Sequence, residues 1–117
     1  MNICEYSGML KEKHIHFSDA ARRELQEMES VCLAVLDELA RETAEPMELL
    51  KNVAALEQRI DDMTGAYRQN QLDRMRSGAC SDEACIIFSE LLTDFERIGD
   101  HALNIAEARV SAGAALP

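Results

Sequence analysis

Tryptophan is absent from this 117-residue chain, and aromatic residues make up only 4% of it. Leu, Ala, Met, Glu and Arg dominate instead, a set that favours helices over strands. Basic side chains are scarce: 12 stand against 22 acidic ones, for a formal net charge of -10. Such a field repels phosphate backbones and excludes nucleic acid as a ligand. It also disfavours direct capture of free phosphate, unless a bound metal ion first inverts the local charge. Long hydrophobic runs are missing as well. Uncharged apolar stretches such as residues 30–36 fall far short of the roughly 20 residues needed to cross a bilayer, so the segment is not expected to insert into a membrane.

The cysteines Cys4, Cys32, Cys80 and Cys85 form no C-x-x-C pair, and residues 1–16 contain no uninterrupted apolar core of a signal peptide. Reduced thiols and a cytoplasmic location are the expectation. A zinc site from Cys80, Cys85 and His101 would have a spacing that matches no standard ligand pattern, which favours plain buried thiols. No Gly-rich phosphate loop or nucleophile elbow is present, and no His lies three residues after a Glu, as the Glu-x-x-His element of ferritin-like di-iron bundles requires.

What is present is helical periodicity. At 117 residues and 47% hydrophobic content the chain can fill one compact core. Residues 1–16 have mixed polarity and read as a lead-in, and residues 114–117 read as a frayed tail. Between them, Ser18 is a good N-cap, and Ala21, Leu25, Met28, Cys32, Val35 and Leu39 repeat every four then three residues, which predicts a helix over 18–43. Pro46 suits the first turn of a second helix, with Leu49, Val53, Leu56, Ile60, Met63 and Tyr67 on its apolar stripe. That helix is predicted to end near Ser77, with Gly78 in the left-handed position beyond it. Ser81 caps a third, predicted to reach Gly113, with Phe88, Leu91, Phe95, Ile98, Ala102 and Ile105 inward. Three long helices joined by short turns run up, down and up, an all-α antiparallel three-helix bundle over 17–113.

The polar faces carry the remaining information. At 100° per residue Glu96, Asp100 and Glu107 project together, away from the Phe95 side of their helix, and Glu57 and Asp61 repeat the i, i+4 spacing on the preceding one. Like charges so placed disfavour a helix by a few tenths of a kcal/mol, which a bound cation would offset. Iron, manganese, zinc and magnesium all accept carboxylate oxygens, and Asn104, one turn beyond Asp100, extends the candidate set. Spacing alone favours ordinary solvated charge, and Arg59 and Arg97 inside the two motifs are alternative counter-charges.

The stretch from Phe95 through Glu96-Arg97-Ile98-Gly99-Asp100-His101-Ala102 to Asn104-Ile105-Ala106-Glu107 resembles the signature that closes the last helix of PhoU-family domains. Leu56-Glu57-Gln58-Arg59-Ile60-Asp61 resembles the family's E/D-x-x-x-D motif one helix earlier, and the similarity covers about residues 18–110. Classical PhoU proteins carry two such bundles, whereas this chain has length for one. Single PhoU-like domains occur as the cytosolic C-terminal part of bacterial Na⁺/phosphate cotransporters, and the Arg74-x-x-x-Gly78-x-Cys80 turn looks similar to those.

The resemblance implies a regulator of phosphate transport, not an enzyme, tethered to the inner face of the cell membrane through its transporter. It also implies metal ions, multinuclear and of iron, zinc or manganese, held by Glu57, Asp61, Glu96 and Asp100, with Asn104 and Glu107 matching further letters of the signature. A second bundle or a homodimer partner would complete the coordination. A carboxylate-bridged metalloenzyme and a metal-free helical interaction module are the alternatives.

Overall fold

In the computed structural model, residues 17–41 and 45–115 are described, with side chains through Gly113. They form three helices: α1 (Asp19–Ala40), α2 (Pro46–Arg76) and α3 (Asp82–Ala115). The expected lead-in, residues 1–16, lies outside the described residues, as do 42–44 and 116–117. Helix α1 stops at Ala40, short of the expected 43, and Arg41 closes it with its N–H donating to the Glu38 carbonyl. Helix α3 continues to Ala115, two residues into the expected tail.

The caps explain the boundaries. Ser18 Oγ accepts from the Ala21 N–H at 3.1 Å, and Ser81 Oγ accepts from the Ala84 N–H at 3.1 Å. Each satisfies one of the amide donors that a helix start leaves unpaired. Pro46 opens α2, where a missing N–H costs nothing. Gly78, at φ 73°, ends the same helix: its N–H donates to the Met75 carbonyl at 3.1 Å and the next N–H, of Ala79, to Arg74 at 2.8 Å. That paired closure requires a left-handed residue, which Gly supplies without strain.

The three apolar stripes meet in one core in which Met28, Val35, Val53, Ile60, Phe88 and Leu92 have no exposed surface. Two expectations change. Ile105 is 44% exposed, because the α3 seam settles on Phe88, Leu92, Phe95, Gly99, Ala102 and Ala106, and Ala106 takes the buried place in the last turns. Cys80 and Cys85 are joined by a disulfide, which corrects the expectation of reduced thiols for this pair. The turn after Gly78 brings their Cα atoms to 6.5 Å, within bridging range. The same bond removes both thiolates from any zinc site, and His101 lies about 24 Å further along α3 at 1.5 Å per residue. Cys32 remains a buried thiol whose pKa is pushed up to about 11 by burial and by Glu29, which makes it unreactive.

A polar network crosses the core at the turn end of the bundle. Arg74 Nη2 donates to Glu24 Oε1 at 2.6 Å, its Nε donates to Gln71 at 2.7 Å, and Asn70 donates to Glu24 at 2.8 Å. The Arg74 guanidinium also lies 5.2 Å from the Phe88 ring centroid, so one side chain ties all three helices together.

Candidate metal centre

Helices α2 and α3 run antiparallel, and Gly99 sets how closely they approach. A Cβ at Gly99 would stand 3.2 Å from Ile60 Cδ1 and 3.6 Å from Glu57 Cγ. The bare backbone at this position therefore lets the Glu57 turn of α2 lie against the Asp100 turn of α3. Valine at Gly99 gains helix propensity of less than about 1 kcal/mol but must displace the fully buried Ile60. Gly99→Val is accordingly expected to lower stability by about 2 kcal/mol in urea denaturation, with Glu57 pushed away from Asp100.

The close approach brings three carboxylates together. Glu57, Asp61 and Asp100 each offer an oxygen within 4.8 Å of the others. The i, i+4 pair on α2 supplies two of them, and α3 supplies the third across the helix boundary. Sequence spacing predicted the first relation but had no means of giving the second. The half-buried Glu57 carboxyl feels the crowding most: its pKa is pushed from an ordinary 4.5 up to about 7, first by desolvation, then by Asp61 and Asp100.

The sign of the pH effect follows. Because the folded chain holds the Glu57 proton more tightly than the unfolded chain, the resulting stabilisation is complete below about pH 4.5 and is lost as pH rises through about 7. In chelator-treated protein, Glu57→Gln is expected to raise the melting temperature at pH 8 and to leave it nearly unchanged at pH 4. Parallel thermal melts of the two proteins across that range provide the check.

The other expected ligands are placed differently. Glu96 accepts from Arg68 Nη2 at 2.9 Å, and the same guanidinium donates to Thr93 Oγ1 at 2.9 Å and Ser89 Oγ at 3.0 Å. Glu96 is thus engaged in an ion pair one turn before Asp100. Asn104 and Glu107 are exposed on α3, about 6 Å and 10.5 Å along the axis from Asp100, and neither joins the three-carboxylate cluster. Arg97 pairs with Asp94 at 3.7 Å, so it does not neutralise the cluster. Among the described residues no ion pair joins Glu57, Asp61 or Asp100 to a basic side chain. Arg68 is the residue that sequence reasoning missed; its only signal was its place two turns after Asp61 on the same face of α2.

The donor chemistry fits a hard or borderline divalent cation. Three carboxylates lie close together, and the proton affinity of one of them, Glu57, is raised by desolvation and by its two neighbours, a crowding that an entering cation would relieve.

The chain matches the family model described as PhoU domain over residues 25–108. It is also similar to the phosphate-specific transport system accessory protein PhoU homolog 1 of Thermotoga maritima, at 30% identity over 107 residues. That alignment takes in 91% of this chain and 45% of the relative, so the chain spans less than half of the relative's length. No solved structure matches the chain.

Proposed function

The chain belongs to the PhoU domain family, and on that premise we propose that it is a regulatory domain of phosphate transport that binds a metal ion through Glu57, Asp61 and Asp100. The observation that carries the reading is the convergence of these three carboxylates from two helices across Gly99. A cation held there would supply positive charge on a domain of net charge -10, the condition under which a phosphate oxygen becomes attractive to it. A second ion would draw on Glu96, whose release from Arg68 would be its requirement, and on Asn104 and Glu107 beyond.

The domain acts through contacts with a membrane phosphate transporter and not through turnover. No described helix is long and apolar enough to cross a membrane. In the favoured arrangement the bundle is the cytosolic part of a Na⁺/phosphate cotransporter, tethered to the membrane by that polypeptide. The relative's name associates it with a phosphate-specific transport system, and its greater length leaves room for a further unit beside the matched one. A homodimer would supply the equivalent neighbour here. Phosphate uptake in cells carrying the intact protein, compared with cells carrying Asp61→Asn/Asp100→Asn, tests the proposal. Uptake that ceases to respond to external phosphate supports it; unchanged regulation by a normally expressed variant counts against it.

A further inference from the structure

Outside the carboxylate cluster, the reactive chemistry of the bundle sits in the turn between α2 and α3, where a disulfide joins Cys80 to Cys85. Its two sulfurs differ in access. Cys80 is half-buried in the loop, whereas Cys85, at the start of α3, is only 8% exposed. The turn has other supports for its shape. On the α2 side the Gly78 and Ala79 N–H groups close the helix onto Met75 and Arg74. On the α3 side Ser81 Oγ caps the Ala84 N–H, and the Cys85 N–H donates to the Ser81 carbonyl at 3.0 Å. A bond across five residues also removes less freedom from the unfolded chain than a long-range one does. Opening it therefore leaves the bundle folded.

What the bond touches is the buried polar network. Gln71, 7% exposed on α2, donates from Nε2 to Cys80 Sγ at 3.5 Å and accepts from Arg74 Nε at 2.7 Å. Arg74 in turn donates to Glu24 of α1. A line of hydrogen bonds thus runs from the disulfide through α2 to α1.

We infer that Cys80 and Cys85 form a reversible redox site, whose state passes through Gln71 to the Glu24–Arg74 network. The inference rests on the cytosolic placement in the proposed function, because disulfides in that compartment are mostly redox-sensing or catalytic. The reductant is a small monothiol. Its thiolate attacks Cys80 Sγ, the more accessible sulfur; the bond to Cys85 breaks, and the Cys85 sulfur leaves with the electron pair and takes up a proton. A second thiolate attacks the monothiol sulfur of the mixed disulfide and releases Cys80, which is protonated in turn. The protein gains two electrons and two protons, and the two monothiols depart as their disulfide. Exchange in the reverse direction closes the pair again. Once it is open, Cys80 is no longer held against Gln71, and the support that Gln71 gives Arg74 relaxes.

The test uses the full chain purified without reductant and equilibrated in glutathione buffers from fully oxidised to fully reduced, with free thiols trapped by a maleimide. In excess reduced glutathione, two labels are expected to appear on Cys80 and Cys85 by peptide mass, with helical circular dichroism unchanged and the Gln71 side-chain amide shifted by NMR. In excess oxidised glutathione both labels should be lost again. Glutathione should also form a mixed disulfide about tenfold faster at Cys80 in Cys85→Ser than at Cys85 in Cys80→Ser. A pair that stays oxidised in reduced glutathione, one that never closes in oxidised glutathione, or a reduction that unfolds the helices would overturn the redox site. A Gln71 amide that does not move overturns its coupling to the network, and equal rates in the two variants overturn Cys80 as the point of attack. None of these readings involves the three carboxylates, so failure here and failure of the metal assignment are separate results.

Discussion

Asp100→Asn is expected to weaken binding of a divalent cation by at least about 100-fold, the equivalent of about 2.8 kcal/mol, and at the same time to raise the thermal stability of the metal-free domain. Both effects have one cause. Asp100 is the sole member of the cluster contributed by α3, so without its charge the cation is held by the α2 pair alone. At an effective dielectric near 20, a unit charge at about 4 Å is worth about 4 kcal/mol, enough to account for the loss. Without a cation, the same charge repels ionised Glu57, whose pKa is raised first by desolvation and then by Asp61 and Asp100. Calorimetric titration gives the affinity, and melts in chelator give the stability. An affinity equal to the wild type's would sink the assignment of Asp100 as a ligand. Glu83→Gln, in the first turn of the same helix and outside every proposed ligand set, is the matched control and should bind as the wild type does.

Arg74→Met should cost about 3 kcal/mol in urea denaturation, a large share of the roughly 5–15 kcal/mol that stabilises a typical domain. The Glu24 and Arg74 side chains are only 11% and 14% exposed, so removal of the guanidinium leaves a nearly buried carboxylate that keeps the Asn70 hydrogen bond but loses its counter-charge. The Phe88 ring loses its cation and Gln71 loses its donor in the same step. Replacing both ions, as Glu24→Leu/Arg74→Met, should recover most of the loss, because apolar side chains of similar volume need no compensating charge. The diagnostic is this non-additivity. If the single variant cost less than about 1 kcal/mol, the network would be no more than a surface ion pair.

These two predictions also mark how much the sequence disclosed. The three helices, the Ser18 and Ser81 caps and the Gly78 closure were legible, because capping and periodicity are local properties of the chain. The PhoU-type signature in α3 was legible for the same reason, as a run of adjacent letters. What spans two helices was not. The meeting of Glu57 with Asp100 depends on the register between α2 and α3, which Gly99 and Ile60 set by packing. The engagement of Glu96 by Arg68 depends on that same register, so the six candidate ligands on the two helices divide into a convergent trio, one ion-paired glutamate and two outlying residues.

The buried Glu24–Arg74 pair was hidden for a different reason. Polar residues on an apolar seam read as a break in the seam until their partners on another helix are known. Gln71, buried at 7% exposure one turn after Tyr67 on α2, was the visible trace of that network. The disulfide between Cys80 and Cys85 likewise depends on the path of the turn, since five residues of separation can hold two cysteines together or apart.

The central claim, that Glu57, Asp61 and Asp100 together hold a metal ion, is tested most directly by titrating chelator-treated protein with Mn²⁺, Fe²⁺ and Zn²⁺ and reading uptake calorimetrically. The wild type is expected to bind at least one of these ions saturably, and Glu57→Gln/Asp61→Asn/Asp100→Asn, whose metal-free form should melt no lower than the wild type, is expected to lose that binding. A wild type that takes up none of the three ions, or a triple variant that binds as tightly, would contradict it.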